Sequence, residues 1–365
     1  MMRSMEALSR SRFVRSAPSG LLMPVRATVR GRVRWSVLDE RGKPEAPRAP
    51  NGAALAGVEG VEQPNLITNL GLNRMAVLNC LGVTTSVAAP GTWRRRLAVG
   101  TGSTAPAVGD TTLDAEAQRA MTSGGFPNGS ASYELDTTAN EWVAESTVTR
   151  LVTMTASRNL TEFGLAHDES GDIVIRELLR DGGGTPITVT LLEGKTLRVD
   201  HTLEVRIPAP ASGNQASINI EEYDVGDTLS ATLPYDITHG GYDTGANPAE
   251  VFTVWNPPVE TGPAAYAVSS SWVYSRTSAP SGFIAASAQP LALVEYTPGS
   301  YERIKRATFT TAQANTALYG FRVAAGTVGI AFNRGWLIRF DSPTTYTKAD
   351  TDTLRIGLVS SWARA

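Results

Sequence analysis

Alternation of apolar and polar residues at a period of two constrains this chain more than any other feature. Over Ala27–Asp39, the residues Ala27, Val29, Val33, Trp35 and Val37 alternate with Thr28, Arg30, Arg32, Arg34 and Ser36. Successive side chains of a strand point to opposite faces, so this segment predicts one buried face and one strongly basic face. Farther on, Leu197, Val199, Leu203, Val205 and Ile207 alternate with Arg198, Asp200, Thr202, Glu204 and Arg206, with His201 on the inward side. Ile187, Val189 and Leu191 repeat the pattern, as do Leu354, Ile356 and Leu358 near the C-terminus. Turn clusters at Asp181–Gly184, Ala211–Asn214, His239–Gly245 and Asn256–Pro258 punctuate these runs. Short strands between such turns predict an all-β fold of two β-sandwich or jelly-roll-like domains.

One short helix interrupts the strands. Thr68 or Asn69 can cap its start, Leu72, Met75, Ala76, Val77 and Leu78 supply apolar faces, and Gly82 fits just past its end. A weaker helical turn is expected at Thr112–Ala120. Before the helix, Lys43–Gly60 carries Pro44, Pro47, Pro50, Gly52, Gly57 and Gly60, the composition of an extended connector without its own core. Residues Met1–Ser16 are rich in Arg and Ser and lack the apolar stretch of a secretory signal, which favours a terminal arm or a start at Met23. The expected organisation is therefore an extended N-terminal arm with one strand and a connector at 1–64, a β-sandwich at 65–208 and a second at 209–365. A loose similarity sets the last boundary near Pro208–Gln215: Arg150 ahead of Thr153-Met154-Thr155 resembles Arg306 ahead of Thr308-Phe309-Thr310. Duplication and chance explain that similarity equally well.

Composition narrows the function classes. The charged fraction is 19% and the formal net charge −2, which argues against a protein that coats nucleic acid. The single cysteine, Cys80, excludes an internal disulfide and reads as a small buried hydrophobe. No apolar run reaches the roughly 20 residues needed to span a bilayer as a helix.

Several motifs carry chemistry in other proteins and are weighed here residue by residue. Leu97-Ala98-Val99 followed by Gly100-Thr101-Gly102-Ser103-Thr104-Ala105 fits a dinucleotide-binding turn, but Pro106 and Gly109-Asp110 follow where a helix should open. A loop leaving a strand is the better reading, and no cofactor is expected. His167, His201 and His239 are far apart; His167-Asp168-Glu169 reads as a solvated turn and no metal site is expected. Glu221, Glu222 and Asp224 are near neighbours, which does not establish two carboxyl groups facing each other across a sugar. No catalytic residue is assigned. The strongest charge features are the Arg30, Arg32 and Arg34 face beside Trp35, and the run Arg94-Arg95-Arg96. Both are read as docking groups for acidic patches on a neighbouring subunit, in preference to DNA. Trp255, Trp272 and Tyr274 are candidate glycan-binding aromatics.

A family resemblance rests on four stretches. Asn65-Leu66-Ile67-Thr68-Asn69-Leu70-Gly71-Leu72 resembles an N-L-I-T-N-x-G-L opening found in bacteriophage tail and virion structural proteins. Val99-Gly100-Thr101-Gly102-Ser103-Thr104-Ala105-Pro106, continuing through Asp110, Leu113 and Glu116 to Arg119, is similar to a V-G-T-G-x-T-A-P stretch of the same proteins. Thr161-Glu162-Phe163-Gly164-Leu165 matches an I-T-E-x-G-L strand in all but its first residue, where Leu160 stands, and Thr196–Ile207 resembles the closing strand. The likeness covers about residues 65–208. It implies a non-enzymatic β-rich module of the virion tail (fibre, tip, neck or adaptor). Its partners would be other virion proteins and further copies of itself, as a trimer or a ring of six or twelve. A host-glycan receptor module is the alternative, and a polysaccharide-degrading enzyme using Glu221 and Glu222 a third reading.

Overall fold

The computed structural model describes residues 21–58, 60–81, 93–120, 129–167, 171–208, 215–223, 229–240, 251–252, 255–258, 263–268, 288–325, 336–340, 346–348, 350–351 and 353–365. Through residue 208 the elements are β1 (Leu21–Leu38), β2 (Pro44–Glu45), β3 (Gln63–Ile67), α1 (Asn69–Met75), β4 (Arg96–Gly100), β5 (Glu116–Arg119) and β6 (Ser130–Asp136). They continue as β7 (Glu141–Thr153), β8 (Arg158–Leu160), β9 (Glu162–Ala166), β10 (Ile173–Leu178), β11 (Val189–Leu191) and β12 (Thr196–Pro208). The fold is all-β, as the alternation predicts, with α1 as the one helix among the elements described through residue 208.

Two layers share one core. The first runs β6-β7-β12-β1, antiparallel throughout, with Val33 opposite His201 and Val199 opposite Arg150. The second runs β3-β10-β9-β4-β5. β3 belongs to both, since Gln63–Asn65 pair with β1 and Leu66–Ile67 pair with β10. Trp35, Val199, Leu203 and Val205 of the first layer and Leu97, Val99, Phe163 and Ile175 of the second lie in one buried cluster. On β12 the five apolar residues of the alternating set are all fully buried, and His201 joins them. Slipping β12 by one residue would turn those five side chains outward. At about 2 kcal/mol each, the loss of roughly 10 kcal/mol is comparable to the whole stability of a domain, so register is fixed by burial.

The helix begins where its cap predicts. Thr68 Oγ1 accepts the amide of Gly71 at 3.0 Å, while Leu72, Met75 and Ala76 are buried. Val77, expected on an apolar face, is 49% exposed because the helix has already ended. Gly82 lies outside the described residues. Thr112–Ala120 is not a helical turn: Glu116–Arg119 pairs as β5 with β4. The amides of Asp114 and Ala115, which a helix would direct along its axis, bond instead to the Glu162 carboxylate.

The N-terminal segment also differs from an arm. β1 is an interior strand of 18 residues: Thr28–Leu38 pair with β12, and Leu21–Val29 pair in parallel with Leu21↔Ile356 through Val29↔Arg364. The C-terminal strand Thr353–Arg364 in turn pairs with Glu302–Phe309. Hydrogen bonding is thus continuous across residue 208. Side chains close the same seam, with Trp362 Nε1 donating to Leu72 O at 2.9 Å and Tyr296 Oη to Asn73 Oδ1 at 2.7 Å. Lys43–Gly60 is more than a coreless connector: it supplies β2, bridges from Arg48 to Ala54 and Thr190, the buried Pro47 and Val58, and Leu55 packed against the core.

Trp362→Ala should therefore cost about 3–5 kcal/mol, the range for a large buried aromatic. Denaturant unfolding measures it, and a loss below about 1 kcal/mol would show that the C-terminal strand is not integral to the core.

Candidate functional site

The predicted basic face of β1 exists, and the fold neutralises most of it. Arg32 pairs with Glu62 at 2.9 Å and Glu204 at 3.3 Å, and also with Glu145. Arg34 reaches Glu62 at 3.1 Å. On β12 the same outer face carries Arg198 with Asp200 at 3.0 Å, and Arg206 with Glu204 at 2.7 Å and Glu141 at 3.1 Å. Acidic residues of the neighbouring strands thus stand across from the arginine row. Exposed pairs of this kind contribute ~0–1 kcal/mol each, so they fix pairing and solubility more than stability. Arg32, Arg34, Glu62, Glu145, Arg198 and Asp200, with Thr147, Thr149 and Thr202, line a polar cavity of about 470 Å³ on the outer face. Arg34 is the open end of the row, its side chain 59% exposed; Arg30 is also exposed.

Trp35 and the run Arg94-Arg95-Arg96 do not form a docking surface. Trp35 is 1% exposed because its parity puts it on the core face of β1. Arg94 has no exposed surface; its guanidinium donates to Ser146 O at 2.9 Å, Ser146 Oγ at 2.8 Å, Cys80 O at 3.2 Å and His201 Nδ1 at 2.7 Å. Arg96 is buried and donates to Ala120 O, whereas Arg95 is half-buried. The run enters β4 at the interface of the two layers, which turns Arg94 inward onto β7 and β12.

Burial and the neighbouring Arg94 and Arg150 hold the His201 imidazole well below its ordinary pKa, so it is neutral. Because Nδ1 accepts from Arg94, the ring proton sits on Nε2. Burial, with Arg150 nearby, lowers the Arg94 guanidinium to about 9. Cys80 is fully buried and its thiol is pushed up to about 12 by burial, as suits a small hydrophobe and not a nucleophile.

Of the candidate glycan aromatics, Trp255 is fully buried, with Nε1 directed at Ser361 O, so it presents no ring face for a sugar to stack on. Trp272 and Tyr274 lie outside the described residues. Glu221 and Glu222 sit in the strand Gln215–Tyr223, His239 sits in Leu229–Gly240, and Asp224, Asp168 and Glu169 lie outside the described residues. Among the described residues no group of three His, Cys, Asp or Glu is placed to hold a metal ion, and no helix is long and apolar enough to cross a membrane.

The glycine-rich turn after β4 is occupied by the protein itself. Glu162, the first residue of β9, is fully buried. Its carboxylate accepts the amides of Gly102 at 3.1 Å, Asp114 at 3.2 Å and Ala115 at 2.8 Å. Arg176 of β10 closes the pair, with Nε at 3.0 Å and Nη2 at 2.9 Å, and also reaches Asp110 at 2.6 Å and Thr104 O at 3.0 Å. A Cβ added at Gly100 or Gly102 would stand 2.5 Å from Glu162 Oε1, so both glycines are there to admit this carboxylate. The amide that a phosphate would seek in a dinucleotide turn is already spent on an internal anion. Sequence reasoning quoted Glu162 as a motif residue without seeing this role, and it missed Arg176. The available signal was the pair Gly100 and Gly102, which a close approach by another group explains; that the group is Glu162, 60 residues on, is legible only in the fold.

Comparison with protein families, curated proteins and solved structures finds no match for this chain.

Glu162→Gln should destabilise the fold by about 1–3 kcal/mol, the cost of weakening hydrogen bonds to a buried charge, since Arg176 keeps its pair with Asp110. Chemical denaturation reads this out, and a near-neutral change would remove Glu162 from its central place. The His201 shift predicts an acid dependence as well. The folded imidazole stays neutral while the unfolded one takes a proton below about 6.5. Its contribution is therefore complete above that pH and is lost as pH falls, by about 1.4 kcal/mol per pH unit. Subtracting the pH–stability profile of His201→Gln should isolate this slope; parallel profiles would show that His201 does not titrate on unfolding.

Proposed function

We propose that this protein is a non-enzymatic structural component of a bacteriophage virion, in the tail, assembling as a symmetric homo-oligomer and docking on other virion proteins. One observation carries the reading. Two of the stretches that resemble virion proteins, 99–119 and 160–165, meet in space around the Glu162–Arg176 pair, and the first, 65–72, is tied to the same layer. Thr104 bonds Asp114, Asp110 bonds Arg176, Thr161 donates to Gly102 O, and Gly164 packs on Leu113. Thr68 ties the first stretch to β10 by donating to Ile173 O at 3.1 Å. Three weak motifs thereby act as one structural unit, while the fourth, Thr196–Ile207, lies in the other layer as β12; this supports reading the three together as the framework of a β module and not as three chance likenesses. The docking role falls to the exposed outer face of β1, at Arg30 and Arg34, and to residues 1–20 ahead of it.

Peptide mass spectrometry and immunogold labelling of purified particles should find the chain in the tail; its absence from particles would end the proposal. Deleting residues 1–20 leaves β1 whole and is expected to lower incorporation at least several-fold. Normal incorporation of that truncation would remove the docking role of those residues. A deletion reaching residue 60 tests something else, since it removes the interior strand.

A further inference from the structure

The first layer ends at β6, and the burial of this strand differs from that of its neighbour. On β7 the residues alternate between buried and partly buried almost throughout. On β6, Ser130, Ala131, Ser132 and Glu134 are exposed, so both of its faces are open to solvent along its first half. Among the described residues β6 pairs with β7 alone, from Ser130↔Thr147 to Asp136↔Glu141. Its other edge presents a row of backbone N–H and C=O groups that no described strand meets. Natural edge strands are protected by lysine, proline, a bulge or a covering loop, because an open edge templates pairing. Ser130-Ala131-Ser132-Tyr133-Glu134-Leu135-Asp136 contains no lysine or proline, and its pairing with β7 runs without a shift of register. The opposite layer shows the contrast: Gln118 on edge strand β5 is tied to Thr153 O at 2.6 Å and to Thr155.

We propose that β6 is a self-association edge, on which a second copy of this chain lays its own β6 antiparallel across a twofold axis at Tyr133. The sequence of the strand is self-complementary in that register. Ser132 stands opposite the partner's Glu134 and Ser130 opposite its Asp136, so hydroxyl donors meet carboxylates on the outer face. Ala131 stands opposite Leu135, and Tyr133 opposite itself, on the inner face, where Tyr133 and Leu135 already pack against the core. A twofold axis normal to the sheet keeps outer residues opposite outer ones, so the axis must pass through a residue. Centring it on Glu134 would oppose two glutamates, and centring it on Ser132 would leave Leu135 and Asp136 unpaired. Tyr133 is the centre that uses all seven residues with no acid facing an acid. Pairing there joins the two first layers into one sheet. The inference rests on the oligomeric part of the proposed function and deepens it: a twofold contact requires an even number of subunits, selecting six or twelve over three.

Light scattering of the purified full chain should give an even multiple of the chain mass. Ser132→Lys combined with Glu134→Lys sets lysine against lysine at two places and should halve that mass while circular dichroism stays unchanged. Ser132→Cys combined with Glu134→Cys places a thiol pair directly across the axis, and mild oxidation should yield covalent dimers. Ser132→Cys alone should not cross-link, because its own symmetry mate is displaced by two residues, at roughly 8 Å and beyond disulfide reach. Cys80 is buried and does not compete. A monomeric or odd-numbered wild type, an unchanged mass in the lysine variant, or a persistent dimer that the cysteine pair cannot cross-link would each overturn the proposal. Any of these results would leave virion incorporation, measured separately on particles, untouched.

Discussion

A carboxylate taken fully out of water loses several kcal/mol of hydration, and it survives inside a protein only where its oxygens are otherwise satisfied. Glu162 meets that condition through three backbone amides and the two-pronged approach of Arg176. Each of those amides belongs to a segment without regular structure of its own: the turn after β4 and the loop before β5. The ion pair therefore substitutes for a sheet ladder in holding these loops. Because desolvation offsets much of its Coulomb energy, its main contribution is geometric. It decides where the loops lie, why Gly100 and Gly102 have no side chain, and why no helix forms ahead of β5.

The arginines divide according to the layer they face. Those on the outer face of β1 and β12 pair with acids of their own or a neighbouring segment: Arg32 with Glu62, Glu145 and Glu204, Arg198 with Asp200, and Arg206 with Glu204 and Glu141. The inward-facing Arg94 is held differently. Arg94 is compensated by carbonyl groups, a serine hydroxyl and a neutral imidazole, so its charge is solvated by dipoles and not by an anion.

The two halves of the chain are joined at their extremities. A parallel ladder between Leu21–Val29 and the C-terminal strand places the beginning and the end of the described chain side by side in the sheet centre. Such a pairing closes a loop of more than 300 residues and is entropically late to form. Once formed, it makes each half an edge-covering element for the other. In the described chain this leaves β6 as the long, well-paired strand at the margin of the first layer.

Period-two alternation by itself determined the all-β class, the strands at β1, β12 and the C-terminus, and the inward side of His201. Alternation reports which side of a strand meets a core, and that property is local. The Thr68 cap was legible for the same reason, since a cap lies within one turn of its helix. What the tertiary structure decided is everything that depends on which strand lies next to which. Arg32 reads as a free cation until Glu62, Glu145 and Glu204 are brought beside it, and Trp255 reads as an exposed aromatic until Ser361 covers its nitrogen. Glu162 reads as one polar residue at a strand end until Arg176, Gly102 and Asp114 converge on it. Charge and packing partners separated by tens to hundreds of residues leave no period in the sequence, because their spacing is set by topology and not by the repeat of a strand.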